Sequence, residues 1–356
     1  MASDQAARYL TSETGRRALF TIGALCLYRL GSQIPLPGLD FNLLGKLGAS
    51  GSTLFRVSIF ALGVTPIFTV MVVAEIAKSV CPPLARYEAR GEAKAGRLNR
   101  AIQFAALAVA ALQGFGIARG LEGAKGIVAE PGPAFELEVV ATFVAATAFL
   151  AWLAGRMTAR GLGAGFWILL VVPYLVGLPT QGRMGLELAQ AGYMDASALP
   201  ITIGFVVLAI AVIVTLALAW LPEGLSVQAG ALRSASSGAA FIDVWPPLLA
   251  QAAGTLIGTA AVIAGMATRP YPLAFGAPLH ILLMAALIAG FSYLRRSLPQ
   301  GAAEIRRPPS ITALAQIAIC CGGEWLTRKL GVPFAINGAM IIVVVATALG
   351  VMSSER

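Results

Sequence analysis

Apolar residues in this chain gather into long blocks, separated by short polar stretches or by stretches rich in glycine and proline. The blocks fall at roughly 17–34, 59–80, 101–119, 136–155, 163–180, 201–221, 247–267, 277–294, 311–323 and 334–352. A helix needs about 20 mostly apolar residues to cross a bilayer, so the pattern predicts ten spans. The first block follows Arg16-Arg17 and ends at Arg29-Leu30-Gly31-Ser32-Gln33-Ile34-Pro35 with no small-x-small cleavage site, so it is read as a retained span. The ninth block is short because Glu324 and Arg328 crowd its end.

Composition supports the same class. Apolar residues make up 58% of the 356 positions without glycine, and charged residues only 12%; mean hydropathy is +0.80. A soluble domain carries about 25% charged residues. Ten spans of about 20 residues leave roughly 156 positions for nine loops and two tails, which excludes a soluble catalytic domain. The expectation is an all-α polytopic membrane protein.

The formal charge of +9 would suggest nucleic acid in a soluble protein. Here its distribution decides. Of the 26 Lys and Arg, 16 fall in the two tails and the loops on their side, 8 in the opposite loops, and Arg29 and Lys78 within spans. Basic residues mark cytoplasmic loops, which places both termini in the cytoplasm. The excess is clearest at Arg86, Arg90, Lys94, Arg97 and Arg100, and at Arg295, Arg296, Arg306 and Arg307, read as solvated loops facing anionic lipid.

Catalytic signals are nearly absent: there is no His-Glu-x-x-His, Walker loop or Gly-x-Ser-x-Gly elbow, and no cofactor is implied. Cys26, Cys81, Cys320 and Cys321 form no Cys-x-x-Cys pair, and His280 cannot complete a zinc site with them; they are read as small buried apolar residues. Gly161-Leu162-Gly163-Ala164-Gly165 is a glycine-rich lead into a helix. Glu75 and Lys78, three apart, share a helix face near the cytoplasmic end, where long side chains reach the headgroups. Gly63-Val64-Thr65-Pro66, Pro173 and Pro246-Pro247 interrupt or bound spans. Just after two of these breaks, Phe68 with Val72 and Phe166 with Leu170 project from one face at i,i+4 spacing. Ordinary packing and an apolar constriction both fit that spacing.

Several strings then resemble the SecY family of Sec translocase channel subunits. They are Tyr28-Arg29-Leu30-Gly31-Ser32-Gln33-Ile34-Pro35-Leu36-Pro37-Gly38-Leu39-Asp40, Ser58-Ile59-Phe60-Ala61-Leu62-Gly63-Val64-Thr65-Pro66, Gly91-Glu92-Ala93-Lys94-Ala95-Gly96-Arg97 and Gln113-Gly114-Phe115-Gly116-Ile117-Ala118. Ala151-Trp152-Leu153-Ala154-Gly155-Arg156-Met157-Thr158-Ala159-Arg160-Gly161-Leu162-Gly163 and Val332-Pro333-Phe334 with Asn337-Gly338 complete the set. The match is strong over 17–180, fainter over 201–294, and recovers at 331–354.

The resemblance implies ten transmembrane helices in two inverted-repeat halves, 1–180 and 181–356, around a central channel in the cytoplasmic membrane. Unfolded secretory chains pass through the centre, and signal sequences leave sideways between the second, third, seventh and eighth spans. The positions matching the family's apolar pore ring are Phe68, Val72, Phe166, Leu170, Leu249 and Val343. Segment 41–57 matches the plug, with Leu43, Leu47, Leu54 and Phe55 as its apolar residues. Arg97, Arg100, Arg233, Arg306 and Arg307 are the candidates for cytoplasmic docking. Implied partners are SecE- and SecG-like small subunits, the SecA motor or the ribosome, and membrane lipid, with no direct nucleic-acid contact.

Departures from the family pattern are a short plug segment, Ala164 in place of a common Asn, only Arg233 in loop 222–246, and a trimmed loop 295–310. Two other readings therefore stand beside the channel: a diverged SecY-like paralogue without motor docking, and a secondary transporter with a midplane site.

Overall fold

The computed structural model describes residues 13–39, 58–89, 92–123, 128–193, 195, 197–219, 243–263, 276–295, 309–332 and 336–353. Among them lie eleven helices: α1 (Glu13–Gly31), α2 (Thr65–Val80), α3 (Pro82–Ala89), α4 (Glu92–Gly123), α5 (Pro133–Arg160), α6 (Gly165–Gln190), α7 (Ala198–Ala219), α8 (Trp245–Ile263), α9 (Pro278–Arg295), α10 (Pro309–Leu330) and α11 (Gly338–Ser353). The described residues contain only isolated β-bridges, Pro35 with Ser58 and Leu39 with Val128. A helix lies at each of the ten apolar blocks. Five stretches among the described residues are long and apolar enough to cross a membrane: Gly96–Gly123, Pro133–Arg160, Gly165–Gln190, Ala198–Ala217 and Pro278–Arg295. The chain is an all-α, multi-pass membrane protein.

Two compact units divide the chain. Unit 1 takes Met1–Ala74 and Gly91–Leu170; unit 2 takes Glu75–Arg90 and Val171–Ser354. Within unit 1, α4 packs along α5, and a β-carbon built on Gly114 would lie 3.1 Å from the Phe143 ring. Small residues at such crossings let helix backbones approach where no water drives association. Leu36, Leu39, Ala118, Phe135, Val139 and Phe143 form a buried cluster at this pair. Four rings then follow in series: Tyr28 stacks on Phe60 at 5.8 Å, Phe60 stacks on Phe149 at 5.9 Å, and Phe149 meets Trp152 tilted at 5.8 Å.

Within unit 2, α8, α9, α10 and α11 pack in chain order, and α7 joins α10 and α11. Helix α7 shows the inversion expected in lipid: Ala209, Ile213 and Ala217 are buried, whereas Ile203, Val207 and Leu208 are about 60% exposed. Helices that meet in lipid gain from close backbone packing, and large apolar side chains rest as well among acyl chains as inside. Gly323 and Gly322 receive the Phe205 ring, and a β-carbon on Gly338 would lie 2.6 Å from Cys320 Cα.

Three expectations change. Pro173 does not interrupt its span, since α6 runs on through both Pro173 and Pro179 to Gln190. Proline removes one backbone donor, and a helix whose remaining ladder is intact continues past it. Pro66 and Pro246-Pro247 sit in the first turns of α2 and α8, where the missing N–H has no intrahelical partner to lose. The ninth span does not stop at Glu324: α10 continues to Leu330, because Glu324 is buried with a partner, His280 Nδ1, at 2.8 Å. Finally, Cys320 is buried as expected, but Cys26 and Cys81 are exposed.

Candidate functional site

Each apolar pair of the expected ring is placed by a tight turn at the start of its helix. Before α2, the turn closes through Gly63 N–H to Phe60 O at 2.8 Å and Thr65 N–H to Leu62 O at 3.1 Å, with Gly63 at φ +53°. Helix α2 then presents half-buried Phe68 and, one turn on, buried Val72. Before α6, Gly163 takes φ +66°. A β-carbon on Gly161 would lie 2.6 Å from Thr21 Oγ1, so only glycine leaves that oxygen room. Thr21 uses the space to accept a hydrogen bond from Leu162 N–H at 2.9 Å, and donates its own to Arg17 O at 3.0 Å. Phe166 and Leu170 follow half-buried, with Phe166 edge-on to Trp167 at 5.5 Å between ring centres.

In unit 2, Leu249 on α8 is wholly buried and Val343 on α11 is 1% exposed. Asn337 caps α11 through its side-chain oxygen, which accepts from Met340 N–H at 3.2 Å. Of the docking candidates, Arg97 and Arg100 are exposed on α4. Arg233, Arg306 and Arg307 lie outside the described residues, as do the plug residues Leu43, Leu47, Leu54 and Phe55.

A cluster of charge in unit 2 stands where the ends of α2 and α9 meet the start of α8. Glu75 pairs with Lys78 on its own helix, as the i,i+3 spacing predicts. Both side chains are largely buried, 13% and 15% exposed. Their neighbour is Arg295, the last residue of α9, whose Nη1 donates to Glu75 Oε2 at 2.9 Å and whose Nε donates to Asp243 Oδ2 at 2.8 Å. Arg295 is thus no solvated loop residue: its side chain is 17% exposed and bridges two carboxylates. Asp243 is held in turn. Its Oδ1 accepts from Trp245 N–H at 3.1 Å, a side-chain turn opening α8, and its carbonyl accepts from Gln316 Nε2 at 2.6 Å. An arginine also fits the α9 C-terminus, where the helix dipole is negative.

Sequence reasoning missed Asp243 and Gln316 here and placed Arg295 among solvated residues. The one local signal was an aspartate two residues ahead of a Trp-Pro-Pro helix start. A second polar pair, His280 with Glu324, ties α9 to α10, and Arg328 Nη1 reaches Gly276 O at 3.3 Å. No group of three or more His, Cys, Asp or Glu suited to a metal ion occurs among the described residues. The described residues thus offer apolar side chains within each unit and, in unit 2, a paired charge network.

The protein translocase subunit SecY of Buchnera aphidicola is 37% identical over 204 residues, covering 53% of this chain; the chain spans 57% of that relative's length. The SecY subunit of Pseudomonas aeruginosa is 25% identical over 405 residues, covering 97% of this chain and 91% of its own. Among solved structures, Sec61 in the canine ribosome-channel complex shares the fold with TM-score 0.56 at 11% identity, covering 95% of this chain and 91% of its own. The family model described as SecY matches residues 58–305, more than half of the sequence, and the chain belongs to the SecY family.

Proposed function

We propose that this protein is a protein-conducting channel of the cytoplasmic membrane. It moves unfolded secretory chains across and releases apolar segments sideways into lipid. The observation that carries the reading is the pair of i,i+4 apolar sets, Phe68 with Val72 and Phe166 with Leu170, each set just past a glycine turn in a SecY-family chain. On the strength of the sequence resemblance, these four with Leu249 and Val343 act as the ring. An apolar, deformable constriction grips an extended chain without reading its sequence, and blocks ions by excluding water. It needs no catalytic residue; the work comes from a partner.

In this reading both termini face the cytoplasm, the halves are 1–180 and 181–356, and segment 41–57 closes the outer side at rest. The partners are SecE- and SecG-like subunits and a SecA motor or ribosome, met by Arg97, Arg100, Arg233, Arg306 and Arg307. Exposure of Arg97 and Arg100 supports their share. The test is a photo-crosslinker at Phe68 or Phe166 while a secretory chain is stalled in transit. An adduct to the nascent chain is expected, and its absence refutes the channel.

A diverged paralogue without motor docking is the second reading, favoured by the single basic residue, Arg233, in loop 222–246. Depleting the cell's principal SecY separates the two: export restored by this chain excludes the paralogue.

A further inference from the structure

The ion pairs around Arg295 have a property that a fixed structural ion cluster lacks: among the described residues, a single one of them crosses from α2. Four charged groups among the described residues take part, two carboxylates and two cations. Glu75 and Lys78 lie on the end of α2, and Asp243 and Arg295 lie at the start of α8 and the end of α9. Among the described residues one ion pair, Arg295 with Glu75, crosses from α2 to the other two. If α2 draws away, Glu75 keeps Lys78 and Arg295 keeps Asp243. Neither side is left with an unpaired charge, the condition that makes breaking a buried pair so unfavourable. Asp243 also stays in place, because Trp245 N–H and Gln316 hold it independently of Arg295.

We infer that Glu75 and Arg295 form a reversible latch between the end of α2 and the α8–α9 pair, with Lys78 and Asp243 as the partners that each takes when it opens. Under the proposed channel function, on which only this consequence rests, the latch sets how apolar a segment has to be to part the second span from the seventh and eighth. The strength of one charge-assisted link matches the apolar content of about one or two leucine side chains.

The latch makes a prediction of opposite signs. Glu75→Gln keeps the shape and weakens the crossing bond, so opening becomes easier. Lys78→Met and Asp243→Asn remove the partners that stabilise the opened halves, so Glu75 and Arg295 hold each other more tightly and opening becomes harder. A network with a purely structural role would loosen in all three.

Ser79 is buried one turn beyond Glu75, and Ser79→Cys provides the probe. Full-length protein in membranes is labelled with a maleimide, and the modified peptide is separated from those of the native cysteines by mass spectrometry. Relative to Ser79→Cys alone, adding Glu75→Gln speeds labelling roughly ten- to hundredfold, and Glu75→Asp, a second loosening variant, speeds it less. Lys78→Met and Asp243→Asn slow it. Changes of one sign in all variants, no change, or a failure of all of them to accumulate overturn the latch. The channel reading is scored separately, by adducts with stalled chains of graded apolarity. No adduct in the unaltered protein refutes the channel and leaves the labelling result standing. Normal adducts with an unchanged apolarity threshold in Glu75→Gln overturn the latch's consequence alone.

Discussion

Replacing Thr21 with valine tests how the start of α6, and with it Phe166 and Leu170, is held. Valine matches threonine in shape, so packing in unit 1 is preserved and only the hydroxyl is lost. That hydroxyl accepts the Leu162 N–H at 2.9 Å across 141 positions of sequence. Thr21 and Leu162 are each 8% exposed, so water does not readily replace the bond. A buried donor left unsatisfied costs about 1–3 kcal/mol, which raises the population of the locally opened turn about 5- to 150-fold at room temperature. Hydrogen exchange followed by mass spectrometry on peptides covering 158–166 reads this directly. Faster exchange at Leu162 is expected in Thr21→Val, with Thr21→Ser restoring protection. Equal protection in wild type and Thr21→Val refutes the claim that this bond fixes the turn. Equal loss in the valine and serine variants assigns the effect to methyl packing instead.

Other outcomes follow from the same structure. His280→Leu strips buried Glu324 of its 2.8 Å partner, and a charge-assisted bond of this kind contributes about 1.5–3 kcal/mol. A lower unfolding temperature in detergent is expected, recovered in part by Glu324→Gln in the same chain; no change in His280→Leu alone refutes it. Gly338→Leu places carbon where only 2.6 Å separates a β-carbon from Cys320 Cα. It should destabilise the α10–α11 contact by about 1–3 kcal/mol, read as a lower denaturation midpoint. Phe68→Gly or Leu170→Ser should raise ion leak in planar bilayers; unchanged leak means these residues do not form the seal.

Much of the fold was legible because each span is a local property. Twenty apolar residues in a row specify a helix in lipid whatever their neighbours, so every predicted block holds a helix. Boundaries were less legible. Proline at 173 reads as an interruption and charge at 324 as a stop, yet α6 and α10 pass through them. The glycine turn at 161–165 was recognised as a lead into a helix, but its use, to admit Thr21 from α1, was not visible.

The class, the helices, the apolar pairs at i,i+4 and the Glu75–Lys78 pair were all legible along the chain, since each depends on residues within a turn or one bilayer thickness of each other. Tertiary structure alone decided that Arg295 reaches back 220 positions to Glu75 while holding Asp243, and that His280 satisfies Glu324. A charge in a low-dielectric setting has to find a partner, but which one depends on where distant helices end. No local pattern along the chain encodes that distance.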